Sequence, residues 1–171
     1  MTLSEPLRQR LEFLARVIHR EMQHLQLTDQ RLFAEALDAE RLRSLEQNPQ
    51  LAETVDAFAA RFGRLQDSVG DKLLPLWRQA VGETPGTAID NLDRAERLGL
   101  IDSANNWLAL RRLRNQIIHD YIEDAHELAK ALQEAHAQVP TLVQAAHNLL
   151  QDLRVRGFIA VQTGAGARGG N

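Results

Sequence analysis

Leu7, Leu11, Leu14, Ile18, Met22 and Leu25 recur at intervals of three and four residues, a period that turns every one of them to the same side of an α-helix. The same period returns in Val55, Phe58, Phe62, Leu65, Val69, Leu73 and Leu76, and a later helix carries Trp107, Leu110, Leu113, Ile117 and Ile118. Aromatic residues are only 5% of the chain, and there are 5 prolines in 171 residues, which argues against a strand-rich fold. The expectation is an all-α, antiparallel bundle of about five to six helices.

Local signals place the boundaries. Ser4 before Glu5-Pro6 starts the first helix. Thr28 is read as the cap of a second helix, from about Asp29 to Glu46, closed by Asn48-Pro49. The third helix is expected from about Leu51 to Ala80, kinked or split by Pro75. Gly82-Glu83-Thr84-Pro85-Gly86 is a loop. A short helix from about Ala88 to Leu98 stops at Gly99, and Asp102 or Ser103 caps the next. Glu123-Asp124 breaks that helix, and Asp124 with Glu127 resembles a capping box for a last helix from about Ala125 to Arg154, bent near Pro140. Residues 1–157 then form one domain, and the Gly-rich stretch 158–171 reads as a flexible tail.

Several function classes drop out. With 0 Cys there is no thiolate metal site, disulfide or cysteine nucleophile, which fits a reducing cytoplasm. No apolar run approaches the ~20 residues that span a bilayer, and Met1 to Pro6 lacks the character of a signal peptide. Net charge is −3, so nucleic-acid binding would need a local basic patch. Apart from Lys72 and Lys130 the cations are arginines, whose fork suits phosphate, although a GC-rich genome gives the same bias. His19 and His24 are five apart and do not share a face, so they are no zinc pair. His126, His136 and His147 read as surface or packing residues, Trp77 and Trp107 as core or interface. The tail lacks the Lys-Ser/Thr ending of a phosphate-binding loop. No metal or cofactor is expected.

The chemistry concentrates in Arg114-Asn115-Gln116-Ile117-Ile118-His119-Asp120-Tyr121. Arginine neutralises phosphate and histidine moves a proton near neutral pH, a combination suited to phosphodiester cleavage without a metal. Asn115 and His119 share a face that extends back to Arg111. Arg114 is displaced from His119 by about 140° around an ideal helix, so a joint site is more natural where two chains meet. Two other readings stay open: His119 and Tyr121 satisfy carbonyls at a helix end while Arg114 pairs with a surface carboxylate, and Arg94, Arg97, Arg111 and Arg112 form either an RNA-binding rim or a solvated surface ion-paired with Asp90, Asp93, Glu96 and Asp102.

The run from Trp107 to Tyr121 resembles the signature helix of the HEPN superfamily, and its HepT-like toxins in particular: an Arg, a polar residue, a His after four intervening residues, then one residue and a Tyr. Glu96 to Ile101 and Ser103 to Trp107 are similar to that group as well, and so is Arg61-Phe62-Gly63-Arg64-Leu65-Gln66-Asp67, where relatives carry an Arg-Phe pair and a downstream acid. The resemblance covers roughly residues 51–150 and leaves 1–50 as an N-terminal helical extension. It implies a metal-independent endoribonuclease toxin, acting as a homodimer beside a cognate nucleotidyltransferase antitoxin. Arg114 would neutralise the scissile phosphate, His119 act as general base or acid, Tyr121 position the phosphate, Asn115 orient His119, and Arg111 and Arg112 bind RNA. Tyr121, the single tyrosine, would be the target of AMPylation by the partner. The alternative is a non-catalytic nucleotide- or partner-binding subunit of a nucleotidyltransferase. A purely structural helical adaptor is the third reading.

Overall fold

Ser4 is extended and Pro6 lies in the first turn of α1 (Glu5–Leu32), which buries Leu11, Leu14, Ile18, Met22, Leu25, Thr28 and Leu32. A computed structural model describes residues 2–119 and 123–161 of the chain and, at His119, the backbone alone. Among these residues every regular element is helical.

The expected cap at Thr28 is corrected: α1 runs through it for another turn. Thr28 lies on the buried stripe, its hydroxyl donates to the His24 carbonyl at 2.9 Å, and it accepts from Arg61 of the third helix. A threonine that bonds back to i−4 satisfies itself inside a helix and has no reason to end one. The expected helix 29–46 is therefore absent, and its span divides among the end of α1, a loop, α2 (Ala39–Arg43) and a 3₁₀ turn (Leu45–Gln47). Asp38 caps α2 by accepting from Arg41 N at 2.8 Å. Asn48 closes the 3₁₀ turn, its N–H donating to Leu45 O, and it also caps α3 (Pro49–Asp67), accepting from Leu51 N at 3.1 Å with Pro49 in the first turn.

Helical backbone continues from α3 through a π turn (Ser68–Leu73) into α4 (Leu74–Ala80). Pro75 has no amide hydrogen to donate, and the wider π turn immediately before it is the form the expected kink takes. The loop after α4 leads to a full capping box, Thr87 with Asp90, at the start of α5 (Ala88–Arg97). Gly99, at φ +70°, ends it. α6 (Ala104–His119) begins where the Ser103 hydroxyl accepts from Asn106 N, and the Glu96 carboxylate accepts from Ala104 N. Asp124 caps α7 (Ala125–Val155) through His126 N, and Pro140 lies inside that helix.

α1 and α6 each pack against both α3 and α7, which gives the bundle four main walls; α5 packs on α4 and α6, and α2 on α7. Phe58, Phe62, Trp77, Leu132 and Leu142 are among the fully buried side chains of the single shared core. α1 belongs to that core as fully as the later helices do. The expected tail boundary also moves. Ile159 is 4% exposed and packed on the core, Phe158 N donates to Leu153 O, and Arg8 donates to the carbonyls of Gly157 and Phe158. The folded unit thus includes Ile159; residues 162–171 of the expected tail lie outside the described residues.

Candidate functional site

The seam that α3 and the π turn after it make with α6 is set by two glycines. A Cβ on Gly63 would stand 2.8 Å from Nε of Arg114, and a Cβ on Gly70 would stand 2.8 Å from Nε1 of Trp107. Each glycine is a notch for one large side chain of the opposing helix, and the two contacts run antiparallel along the seam. Glycine costs about 1 kcal/mol relative to alanine in a helix interior, so its use twice at this interval reflects the packing it permits.

From the Gly63 notch Arg114 extends to Asp67, one turn further along α3. Nη1 donates to Oδ1 at 2.9 Å and Nη2 to Oδ2 at 3.0 Å, a bidentate fork. The Arg114 and Asp67 side chains are 26% and 35% exposed, so the pair reaches solvent. Of the five guanidinium donors, two serve Asp67 and Nε is buried without a partner. Two N–H groups on the terminal nitrogens remain for an incoming oxygen. One turn earlier on α6, Arg111 Nη2 meets Asp71 Oδ1 at 2.5 Å.

A second carboxyl stands behind this pair. Glu21 of α1 faces Ser68, Lys72, Arg64 and Asp67, and one of its oxygens, Oε2, is buried without a hydrogen-bond partner. Burial raises its pKa above the ordinary value of 4.5, against the pull of the Ser68 hydrogen bond and of Lys72 and Arg64; the Asp67 charge adds to the rise. Neither Glu21 nor the glycines stood out in the sequence. A glycine within a helical pattern was the available signal for Gly63 and Gly70; nothing in the sequence marked Glu21.

Asn115 and Arg112 are exposed and make no hydrogen bond among the described residues. Arg114 turns into α3 while Asn115 faces solvent, which is the divergence that helical spacing dictates. His119 is the last residue of α6; its side chain and all of Tyr121 lie outside the described residues, and with them the expected general base and AMPylation target. Ile117, one turn on from Arg114, lines a cavity of about 270 Å³ together with Val55, Ala59, Leu128, Glu46 and Asp56. Two carboxylates make that cavity a poor seat for phosphate.

Arg94 is engaged elsewhere. Its Nε and Nη2 donate to Glu83 Oε1 at 2.9 and 2.6 Å, and Arg78 Nε donates to Glu83 Oε2 at 3.1 Å. The Arg94 hydrogen bond is the main cause holding the Glu83 carboxyl below its ordinary value. Arg94 and Arg111 are ion-paired, with Glu83 and Asp71 as partners in place of the expected Asp90, Asp93, Glu96 and Asp102. Arg78 of α4 also donates to Asn91 at 2.9 Å, which ties α4 to α5, and Gly86 N donates to the same Asn91 oxygen and holds the loop onto α5.

No family model, no curated protein and no solved structure matches this chain. Among the described residues no helix is long and apolar enough to cross a membrane.

Proposed function

We propose that the chain is a HEPN-type, metal-independent endoribonuclease, the toxin of a toxin–antitoxin pair whose antitoxin is a nucleotidyltransferase, and that it acts in the cytoplasm as a homodimer. The observation that supports this most is the seating of Arg114. Gly63 and Asp67 hold its guanidinium extended at the start of the Arg114–Tyr121 segment, with two N–H groups uncommitted. A preset cation stabilises charge developing on a phosphate without reorganising at the moment of reaction.

In this reading the ribose 2′-oxygen attacks phosphorus, the bond to the 5′-oxygen of the next nucleotide breaks, and a 2′,3′-cyclic phosphate remains. His119 takes the proton from the 2′-hydroxyl or gives one to the departing 5′-oxygen, Tyr121 positions the phosphate and Asn115 orients His119. Arg112, exposed and unpaired among the described residues, meets the RNA backbone; Arg111 does so while shared with Asp71. Because Arg114 and Asn115 point to different sides of α6, His119 of one subunit serves the Arg114 of the other.

One observation favours a second reading. The Arg114 fork already grips a carboxylate, as it would in a non-catalytic subunit that presents a nucleotide to a nucleotidyltransferase. Purified protein and its His119→Ala variant incubated with total RNA in EDTA separate the two. Fragments ending in 2′,3′-cyclic phosphate with the parent protein alone support the nuclease; folded, dimeric protein that leaves the RNA whole supports the binding subunit.

A further inference from the structure

α1 and α7 run antiparallel, and their register is tied at two places. Arg8 donates to the carbonyls of Gly157 and Phe158 at 3.0 and 3.2 Å, and Asp29 meets Nδ1 of His136 at 2.7 Å. Midway between these ties, equal rise along the two helices brings His19 level with His147. Both line a cleft of about 290 Å³ between the helices. Gln23 and Gln26 come in from α1 and Arg154 from α7, and buried Met22 and Leu150 form an apolar floor.

We propose that this cleft binds a small anion, a phosphate or carboxylate group carried on an apolar body. Three features argue for it. No carboxylate is among the residues lining the cleft, although Asp and Glu outnumber Lys and Arg, 23 to 20, in the chain. The imidazoles of His19 and His147 and the amides of Gln23 and Gln26 make no hydrogen bond among the described residues, so their donors are uncommitted. Cation-capable and neutral donors around an apolar floor form the usual pattern of a small-ligand site, with polar groups fixing the head and the floor taking the body. A metal fits the donor set less well, since no group of three or more His, Cys, Asp or Glu among the described residues could hold one. The site is independent of the Arg114 seam, and its test does not depend on nuclease activity.

The test follows the histidine ring signals of the full chain by NMR during titration with phenyl phosphate, phenylacetate and inorganic phosphate. Benzyl alcohol serves as the neutral control and Zn²⁺ as the metal control. The expected result is a saturable shift of the His19 and His147 rings together, with phenyl phosphate or phenylacetate binding more tightly than inorganic phosphate; the order of those two probes names the head group. Gln23→Glu places a carboxylate on an exposed position of the cleft, and should weaken binding by at least about tenfold without changing Tm. The double variant His19→Ala/His147→Ala, followed through the side-chain amide signals of Gln23 and Gln26, should do the same. The proposal is overturned by unmoved rings at about 10 mM probe, by equal binding of benzyl alcohol, by affinity unchanged in Gln23→Glu, or by stoichiometric Zn²⁺ shifting both rings.

Discussion

Gly63 and Arg114 occupy one packing site: the space a Cβ would take on the glycine is filled by the arginine Nε, 2.8 Å from where that carbon would lie. The atom in the way is the middle of the side chain, pinned at its far end by Asp67, so it cannot swing clear. Gly63→Ala therefore sets a clash against a gain of about 1 kcal/mol in helix propensity. Overpacking of this kind typically costs about 1–3 kcal/mol, so the variant should be less stable in urea unfolding. In an Arg114→Ala background the clash is gone and the same change should become stabilising. Additive effects in that double-mutant cycle would show that the two residues do not share the site.

Asp67 fixes the guanidinium by two parallel hydrogen bonds, a geometry lysine cannot reproduce. In the proposed nuclease, Arg114→Ala and Arg114→Lys should each lower single-turnover RNA cleavage, the former by about 10²–10³-fold. Asp67→Asn should give a smaller loss, because it loosens the arginine without removing it. Cleavage by Arg114→Lys at the parent rate would remove Arg114 from the chemistry.

Glu21 prefers its protonated form in the folded chain more than in the unfolded one. The folded state then holds the extra proton, so this group's contribution to stability declines as pH rises from the ordinary glutamate value of 4.5 through the raised folded one. Glu21→Gln abolishes that titration. Its stability relative to the parent should rise across this window and level off above it. Denaturant midpoints from pH 4 upward test the sign, and a flat difference would contradict it.

Glu83 titrates in the opposite sense. Arg94 and Arg78 hold its carboxyl below the ordinary range, so the stability it contributes is present above the unfolded value of 4.5 and fades as pH falls through the lowered one. Glu83→Gln should lose about 1 kcal/mol near neutral pH, a figure kept small because the pair is partly exposed. At pH 3 and below the deficit should shrink, and thermal melts at the two pH values measure it.

Ile159 follows α7 yet is 4% exposed. Ile159→Ala should cost about 2–4 kcal/mol, as for any buried aliphatic truncation, whereas Val161→Ala, at a residue 73% exposed, should change Tm little.

Three- and four-residue spacing of Leu, Ile, Val and Phe was enough to read the all-helical class and the long helices, because it leaves one way to bury those side chains. The sequence also placed the boundaries that rest on local chemistry: the stop at Gly99, the cap at Asp124 and the interruption at Pro75. It misjudged Thr28, since a hydroxyl that can cap a helix can also bond back to His24, and only the approach of Arg61 from α3 shows which it does. In the same way the glycine-rich end hid Ile159, which finds its place through contacts far away in the chain. The spacing of Arg114 and Asn115 already implied that they diverge. What no spacing contains is the partner of Arg114. Asp67 lies on another helix, and its fork forms because Gly63 and Gly70 let α3 and α6 come close enough for a guanidinium to lie between them. Local periodicity fixes which face a residue occupies; the interhelical approach decides what that face meets.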